Sequence, residues 1–279
     1  MNYMFNKVTI IGMGLMGGSF GLALKKKRLA LNVTGWGRNE ARLRIARGMG
    51  AADAVTTDIQ EAVNGADITV ICLPVNMIAG CFKEIKPFLK ARAIVTDMGS
   101  IKENMLKEID DGCFVGAHPM AGSEKAGTEN IRQGLYEKAT CIITPVKKNN
   151  TTDVKKIISM FEAIGMKTCV MPPEAHDRAV AKISHMPHAA AFALARSQEK
   201  TIRNNPGIIG PGFKDTTRIA ASTEDVWAGI LLGNKKNVLA ELKAYEKELY
   251  EFKKALNAGE TKLKAYIKKA RMLRELLNK

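Results

Sequence analysis

The chain has 279 residues, 46% of them hydrophobic and 25% charged, with a formal net charge of +15. That length and apolar content suit two globular domains. No run approaches the ~18 unbroken apolar residues of a membrane span, and no segment near the start has the layout of a signal peptide, so a soluble cytoplasmic protein is expected. The five cysteines form no CxxC pair, and Cys72, Cys141 and Cys169 lie in apolar, strand-like runs, which reads as reduced structural thiols rather than a disulfide framework.

The first element is a short β-rich run over residues 7–11. It feeds directly into Gly12-Met13-Gly14-Leu15-Met16-Gly17, after which residues 19–26 read as a helix. Strand, GxGxxG and helix in that order form a dinucleotide-binding turn. Gly12 permits the tight bend, Gly14 lets backbone approach a pyrophosphate, and Gly17 lets helix and strand pack closely.

A second strand over 32–35 ends in Trp36-Gly37-Arg38-Asn39. An NAD-binding unit normally places an acid here against the ribose 2′-hydroxyl, and none is present. Gly37 removes that repulsion and Arg38 can pair with a 2′-phosphate, which tilts the cofactor toward NADP or use of both. Arg38 as a solvated charge and Asn39 as the N-cap of the next helix is an equally open reading.

Further strand-like runs at 67–73, 93–97, 114–117, 140–144 and 168–171 alternate with helical patterns. Such alternation predicts an α/β fold with a mostly parallel, doubly wound sheet whose ligand lies beyond the carboxyl ends of the strands. Residues just after strands are therefore the candidates. Leu73 and Pro74 follow one run, Asp97-Met98-Gly99-Ser100 the next, and His118 the one after. The segment Gly116-Ala117-His118-Pro119-Met120-Ala121-Gly122-Ser123-Glu124 sets an imidazole, a hydroxyl and a carboxylate in one turn. A neutral imidazole there can take a proton from a substrate hydroxyl while a nicotinamide takes the hydride, which is dehydrogenase chemistry.

Pro172-Pro173 interrupts both helix and sheet and marks a boundary, giving a Rossmann-type domain over 1–172 and an all-α domain over 173–279. Residues 174–203 read as one long helix bent at Pro187, opened by His176 and Asp177, which are expected to touch the cleft. A Gly/Pro loop over 204–213 and helices over 215–257 and 260–278 follow. Four apolar-faced segments in so short a domain predict a homodimer.

Residues 235–279 hold thirteen Lys/Arg against six Glu, interleaved with Leu239, Leu242, Tyr245, Leu249, Phe252 and Leu256 at three- and four-residue spacing. That is an amphipathic helix with a solvated basic face, and without a nucleic-acid motif the charge better serves an anionic small substrate. Arg218 is the candidate anchor for a substrate carboxylate, with Asp215 three residues before it to hold the guanidinium. His185 and His188 lack the cysteines or clustered carboxylates of a metal set, so no metal is expected. Trp227 is expected in the core or in a dimer contact.

Taken together, the glycine motif, Asp97-Met98-Gly99-Ser100, the His118 block, Ser184-His185-Met186-Pro187-His188 and Gly212-Phe213-Lys214-Asp215-Thr216-Thr217-Arg218 resemble the prephenate dehydrogenase family and its arogenate-using relatives. The resemblance spans nearly the whole chain. It implies oxidative decarboxylation of prephenate to 4-hydroxyphenylpyruvate with reduction of NAD or NADP, in tyrosine biosynthesis. It implies a Rossmann domain followed by a helical dimerisation domain. It also implies that Ser100 orients the hydroxyl or the nicotinamide, that Ser123 and Glu124 line the entrance, and that His188, with His185, helps recognise the substrate side chain.

Two other readings share parts of this pattern. A β-hydroxyacid dehydrogenase or imine reductase would rely on a lysine such as Lys182, and a nucleotide-sensing or nucleic-acid-binding protein would keep the fold without turnover. No residue separates prephenate from arogenate. No regulatory extension is expected beyond the helical domain, so feedback by tyrosine, which the sequence leaves open, would act at the active site.

Overall fold

Eight apolar, β-branched segments pair into one sheet: β1 Phe5–Ile11, β2 Ala30–Trp36, β3 Ala54–Thr56, β4 Ile68–Ile71, β5 Ile94–Asp97, β6 Phe114–Pro119, β7 Thr140–Thr144 and β8 Lys167–Val170. The computed structural model describes residues 3–122, 125 and 127–278. The spatial order is β3-β2-β1-β4-β5-β6-β7-β8. β1 to β6 run parallel, whereas β7 is antiparallel to β6 and β8 is parallel to β7. This is the doubly wound α/β fold that the alternating elements predict.

The central strands read as continuous apolar runs because helices cover both faces. Ile10 and Ile11 are both fully buried, yet they point to opposite sides. Ile10 joins a core with Phe20, Leu24 and Phe161, while Ile11 joins one with Ile78, Phe82 and Met105. The first core is closed by the Leu15–Lys26 and Thr151–Ala163 helices, the second by the Val75–Ile85 and Glu103–Ile109 helices. Each face is thereby sealed, and only the strand ends stay open to a ligand.

Several local expectations change. β3 is three residues long, too short to show a period, and it was not predicted. The predicted 67–73 strand contracts to Ile68–Ile71, and at its start the Asp67 carboxylate turns back to accept the Asn6 and Lys7 N–H groups. β6 runs on through Pro119, so His118 sits inside the strand, opposite Ile142 of β7, rather than after it. Asn39 does cap the next helix, its side chain accepting the Arg42 N–H at 3.0 Å.

The predicted helix over 174–203 is three α-helices, Pro173–Val180, Met186–Ser197 and Glu199–Asn204, with a π-helical turn over Ala181–His185. Pro187 has no N–H and its ring crowds the preceding turn, and the wider π turn just before it relieves both. The predicted helix over 215–257 is also broken. Pro211 opens a helix at Pro211–Thr217, a 3-10 turn spans Arg218–Ala221, and further helices cover Glu224–Gly233 and Lys235–Asn257.

The chain forms two compact units, Met1–Asn234 and Lys235–Lys279. The helices between 173 and 234, which the sequence groups with the C-terminal helices, share a unit with the sheet. The second unit is a helical hairpin of Lys235–Asn257 and Glu260–Glu275, held by an edge-on Phe252–Tyr266 pair and a 2.6 Å bond from the Tyr266 hydroxyl to Glu248. Among the described residues no helix is long and apolar enough to cross a membrane.

Candidate active site

The turn after β1 holds the first half of the site. Gly12 has φ 98°, and a Cβ there would lie 2.6 Å from the Cys72 carbonyl oxygen. A Cβ on Gly17 would come within 2.0 Å of the Gly12 oxygen, so helix and strand meet this closely only with glycine present. Gly14 differs: nothing lies within 4 Å of its added Cβ. It is the N-cap of the Leu15–Lys26 helix and supplies no side-chain capping bond to that helix's first N–H groups. A crowded base under an open glycine at a helix N-terminus fits a dinucleotide pyrophosphate.

Beside this turn a cavity of about 610 Å³ opens along the carboxyl ends of β1, β4, β5 and β6. Gly14, Leu15, Met16, Leu73 and Pro74 line one end, and Ser100, His118, His188, Arg218 and Trp227 line the rest. Residues as far apart in sequence as Gly14 and Trp227 are thus brought to one hollow. Gly12, Met13 and Gly17 lie beneath it as support, Met13 packing against Gly35. Arg38 is exposed just past β2 and Asp215 is exposed on the Pro211–Thr217 helix, and neither lines the cavity. Asp215 fails to reach it because the α-helix ends at Thr217 and Arg218 begins a tighter turn, which breaks the shared face expected of an unbroken helix. Ser123 and Glu124 lie outside the described residues.

His118 is 7% exposed, and its ring is tied from behind. Its Nδ1 is 2.8 Å from Nε2 of His176, whose Nδ1 is 2.7 Å from Oδ1 of Asp177. The Asp177 oxygens also accept the backbone N–H groups of Lys102 and Glu103 at 2.8 and 2.9 Å, capping the Glu103–Ile109 helix from a distant element. Those bonds fix the direction of the chain. Because the carboxylate accepts, His176 Nδ1 carries a hydrogen and its Nε2 accepts, so His118 Nδ1 donates. Neutral His118 therefore keeps its lone pair on Nε2, a nitrogen with no bond to protein among the described residues.

Charge is unwelcome on these rings. Burial first, then His176, Lys102 and His185, holds the His118 imidazolium well below the usual histidine range. Burial also lowers His176, although its bond to Asp177 opposes the shift. The sequence offered His176 and Asp177 as the opening of a helix that touches the cleft, with no partner for either. The signal that it did contain was a histidine and an aspartate adjacent in sequence beside the predicted boundary.

The far wall is aromatic. His188 stacks on Trp227 with centroids 3.5 Å apart and planes 20° from parallel, so Trp227 is a cavity wall rather than only a core residue. His188 Nδ1 donates to the Ser184 carbonyl at 2.8 Å. Burial, then Arg218, lowers its basicity, against the effect of that bond. His185, by contrast, is fully buried behind the wall, outside the lining, with its Nδ1 3.2 Å from Asn234 Nδ2 and its ring edge toward Trp227. Burial pushes it down to about 4. Lys182 is exposed on the π turn and does not line the cavity, so the lysine that the other dehydrogenase reading would use is not in the site.

Residues 20–170 match the family model described as prephenate dehydrogenase, nucleotide-binding domain. The chain belongs to the prephenate dehydrogenase family. Residues 172–277 match that family's dimerization domain. Among curated relatives, this family member is 31% identical to the cyclohexadienyl dehydrogenase of Zymomonas mobilis over 90% of this chain and 89% of that protein. It is 30% identical to the prephenate dehydrogenase of Bacillus subtilis over 89% of this chain and 70% of that one. The crystal structure of A. aeolicus prephenate dehydrogenase, solved with hydroxyphenyl propionate and NAD+, superposes with a TM-score of 0.90 at 32% identity, covering 98% of each chain.

Proposed function

We propose that the chain oxidatively decarboxylates prephenate to 4-hydroxyphenylpyruvate in tyrosine biosynthesis, with His118 as the general base. The observation that carries this reading is the bond from His118 Nδ1 to His176, which leaves Nε2 of a cavity-lining imidazole as a proton acceptor. His118 Nε2 takes the proton of the ring hydroxyl. The bound nicotinamide supplies the acceptor for the hydride leaving the same carbon, and loss of the ring carboxylate as CO2 then completes an aromatic ring. As His118 gains charge, His176 accepts its Nδ1–H bond and the Asp177 carboxylate stabilises the pair through His176. Arg218 anchors the side-chain carboxylate, its planar fork fixing orientation as well as charge. Ser100, in the turn after β5, orients the hydroxyl or the nicotinamide.

Gly37 and Arg38 support NADP or dual cofactor use. The Gly12 N–H bonds the Trp36 carbonyl at 2.9 Å, so Arg38 stands two residues beyond the point where β2 meets the glycine turn. A homodimer is supported by the apolar side chains that the helical hairpin leaves exposed, among them Leu239, Leu249, Tyr250, Leu256 and Ile267.

One observation favours arogenate as a second substrate. With Nδ1–H given to Ser184, neutral His188 offers the cavity an acceptor, which suits an ammonium better than the keto group of prephenate. Initial rates with prephenate and arogenate, each crossed with NAD and NADP, test the whole reading. Turnover of neither substrate with either cofactor rejects it.

A further inference from the structure

Asp97 and Lys102 are both fully buried and form an ion pair at 2.5 Å. Removing two charges from water is costly, and apolar residues of the same volume often serve stability as well or better, so such a pair calls for another reason. Its bonds supply one. The Lys102 ammonium spends its three donors on Asp97 Oδ2, the Gly99 carbonyl at 2.7 Å and the Ile101 carbonyl at 3.3 Å, which flank Ser100 on both sides. Asp97 Oδ2 also accepts the Gly99 N–H at 2.7 Å, and its Oδ1 accepts the N–H of Ala117, the residue before His118, at 3.1 Å. From the other side, the Lys102 backbone N–H donates to Asp177 at the end of the relay.

We propose that Lys102 is a positioning residue for proton transfer: paired with Asp97, its side chain locks the Ser100 turn to the strand that carries His118. The proposal rests on His118 being the base. The groups that face the ammonium are Asp97 on β5, His118 on β6, Cys141 on β7 and, from the helical side, His176, while Asp177 meets the Lys102 backbone and His185 acts on His118 and His176. Against that set the cation resists proton uptake by His118 and His176, so the lock also keeps the relay neutral.

The test uses the full chain as wild type, Lys102→Met and the charge-free pair Asp97→Asn/Lys102→Met. Lys102→Met is expected to lower kcat about 100-fold, the order seen when reacting groups move by about 1 Å. The cofactor KM should stay within about threefold of wild type. The acid limb of kcat/KM should move up by about half a pH unit, since losing a nearby cation eases protonation. The chain has four histidines, so ring 1H–13C NMR can follow their titration without substrate. The relay histidines should titrate higher in Lys102→Met than in wild type. A role in stability alone would lower the melting temperature while leaving the acid limb and the ring titrations in place, and that result overturns the proposal. If Lys102→Met does not fold, the double variant decides: a folded double variant with wild-type kcat overturns the proposal, and one about 100-fold slower supports it. Inactivity of the wild type toward both prephenate and arogenate instead rejects the functional reading, while the NMR comparison still tests the lock.

Discussion

His118 donates its Nδ1–H to Nε2 of His176 at 2.8 Å, across 58 residues of sequence and between a strand and a helix. The bond selects the tautomer of His118, and with it the nitrogen that the proposed reaction uses as base. Replacing His118 with Asn should lower kcat by about 10²–10⁴-fold, the usual contribution of a positioned base, with cofactor affinity and melting temperature close to wild type. Stopped-flow hydride transfer and fluorescence titration of the reduced cofactor would measure the two separately.

Asp177→Asn tests the direction of the relay. An amide at 177 can present an N–H toward His176, which reverses both rings and puts the hydrogen of His118 on Nε2. By analogy with other relays of this kind, kcat should fall by about 10³–10⁴-fold. Combined with His118→Asn the two losses should not add, because both remove the same proton acceptor. Additive losses in the double variant would refute the shared pathway.

Arg218→Lys keeps the charge and loses the fork. The substrate KM should rise by about tenfold or more, with a smaller change in kcat, because a point charge attracts a carboxylate without orienting it. Steady-state kinetics on the folded variant decide it, and an unchanged KM would remove Arg218 from the binding role.

Gly14→Val separates fold from ligand. An added Cβ at this position meets nothing within 4 Å, whereas at Gly17 it meets backbone at 2.0 Å. The valine variant should fold with a melting temperature near that of wild type and bind NAD or NADP about tenfold or more weakly, because the side chain occupies the pyrophosphate's place. Isothermal titration of each cofactor is the direct measurement.

Burial lowers the basicity of His118, His176 and His185 in the folded chain. Unfolded, they bind protons at about 6.5, so below that pH the unfolded state holds more protons and folding stability falls with falling pH. Each of the three contributes a slope of up to about 1.4 kcal/mol per pH unit, and for His185 the loss runs from about 6.5 down to about 4. Urea midpoints taken between those values should decline steadily as pH falls. The depressed basicity of His118 also predicts a kcat/KM that stays flat as pH falls through 6.5 in the folded protein.

The glycine turn was legible because its chemistry is local: strand, GxGxxG and helix must be adjacent in sequence to form a phosphate cradle. The same holds for Pro187, whose missing N–H disturbs its own helix, and for Asn39, which caps the turn beside it. His118 could be read as a base because it lies near the carboxyl end of an apolar, strand-like run. Arg218 could be read as an anchor from its chemistry, although the helix expected to seat it breaks at that residue.

The partners of those residues were not legible. His176 and Asp177 look like any helix start, and Lys102 like a surface lysine, until β5, β6 and the Pro173–Val180 helix converge. Whether a histidine donates or accepts, and whether a lysine is solvated or sealed, depends on neighbours tens of residues away. Local sequence determined the backbone turns and the doubly wound sheet, since propensity, glycine conformation and apolar period act over a few residues. The protonation state and orientation of the site were decided by tertiary packing, because desolvation and hydrogen-bond direction exist only once distant groups share one interior.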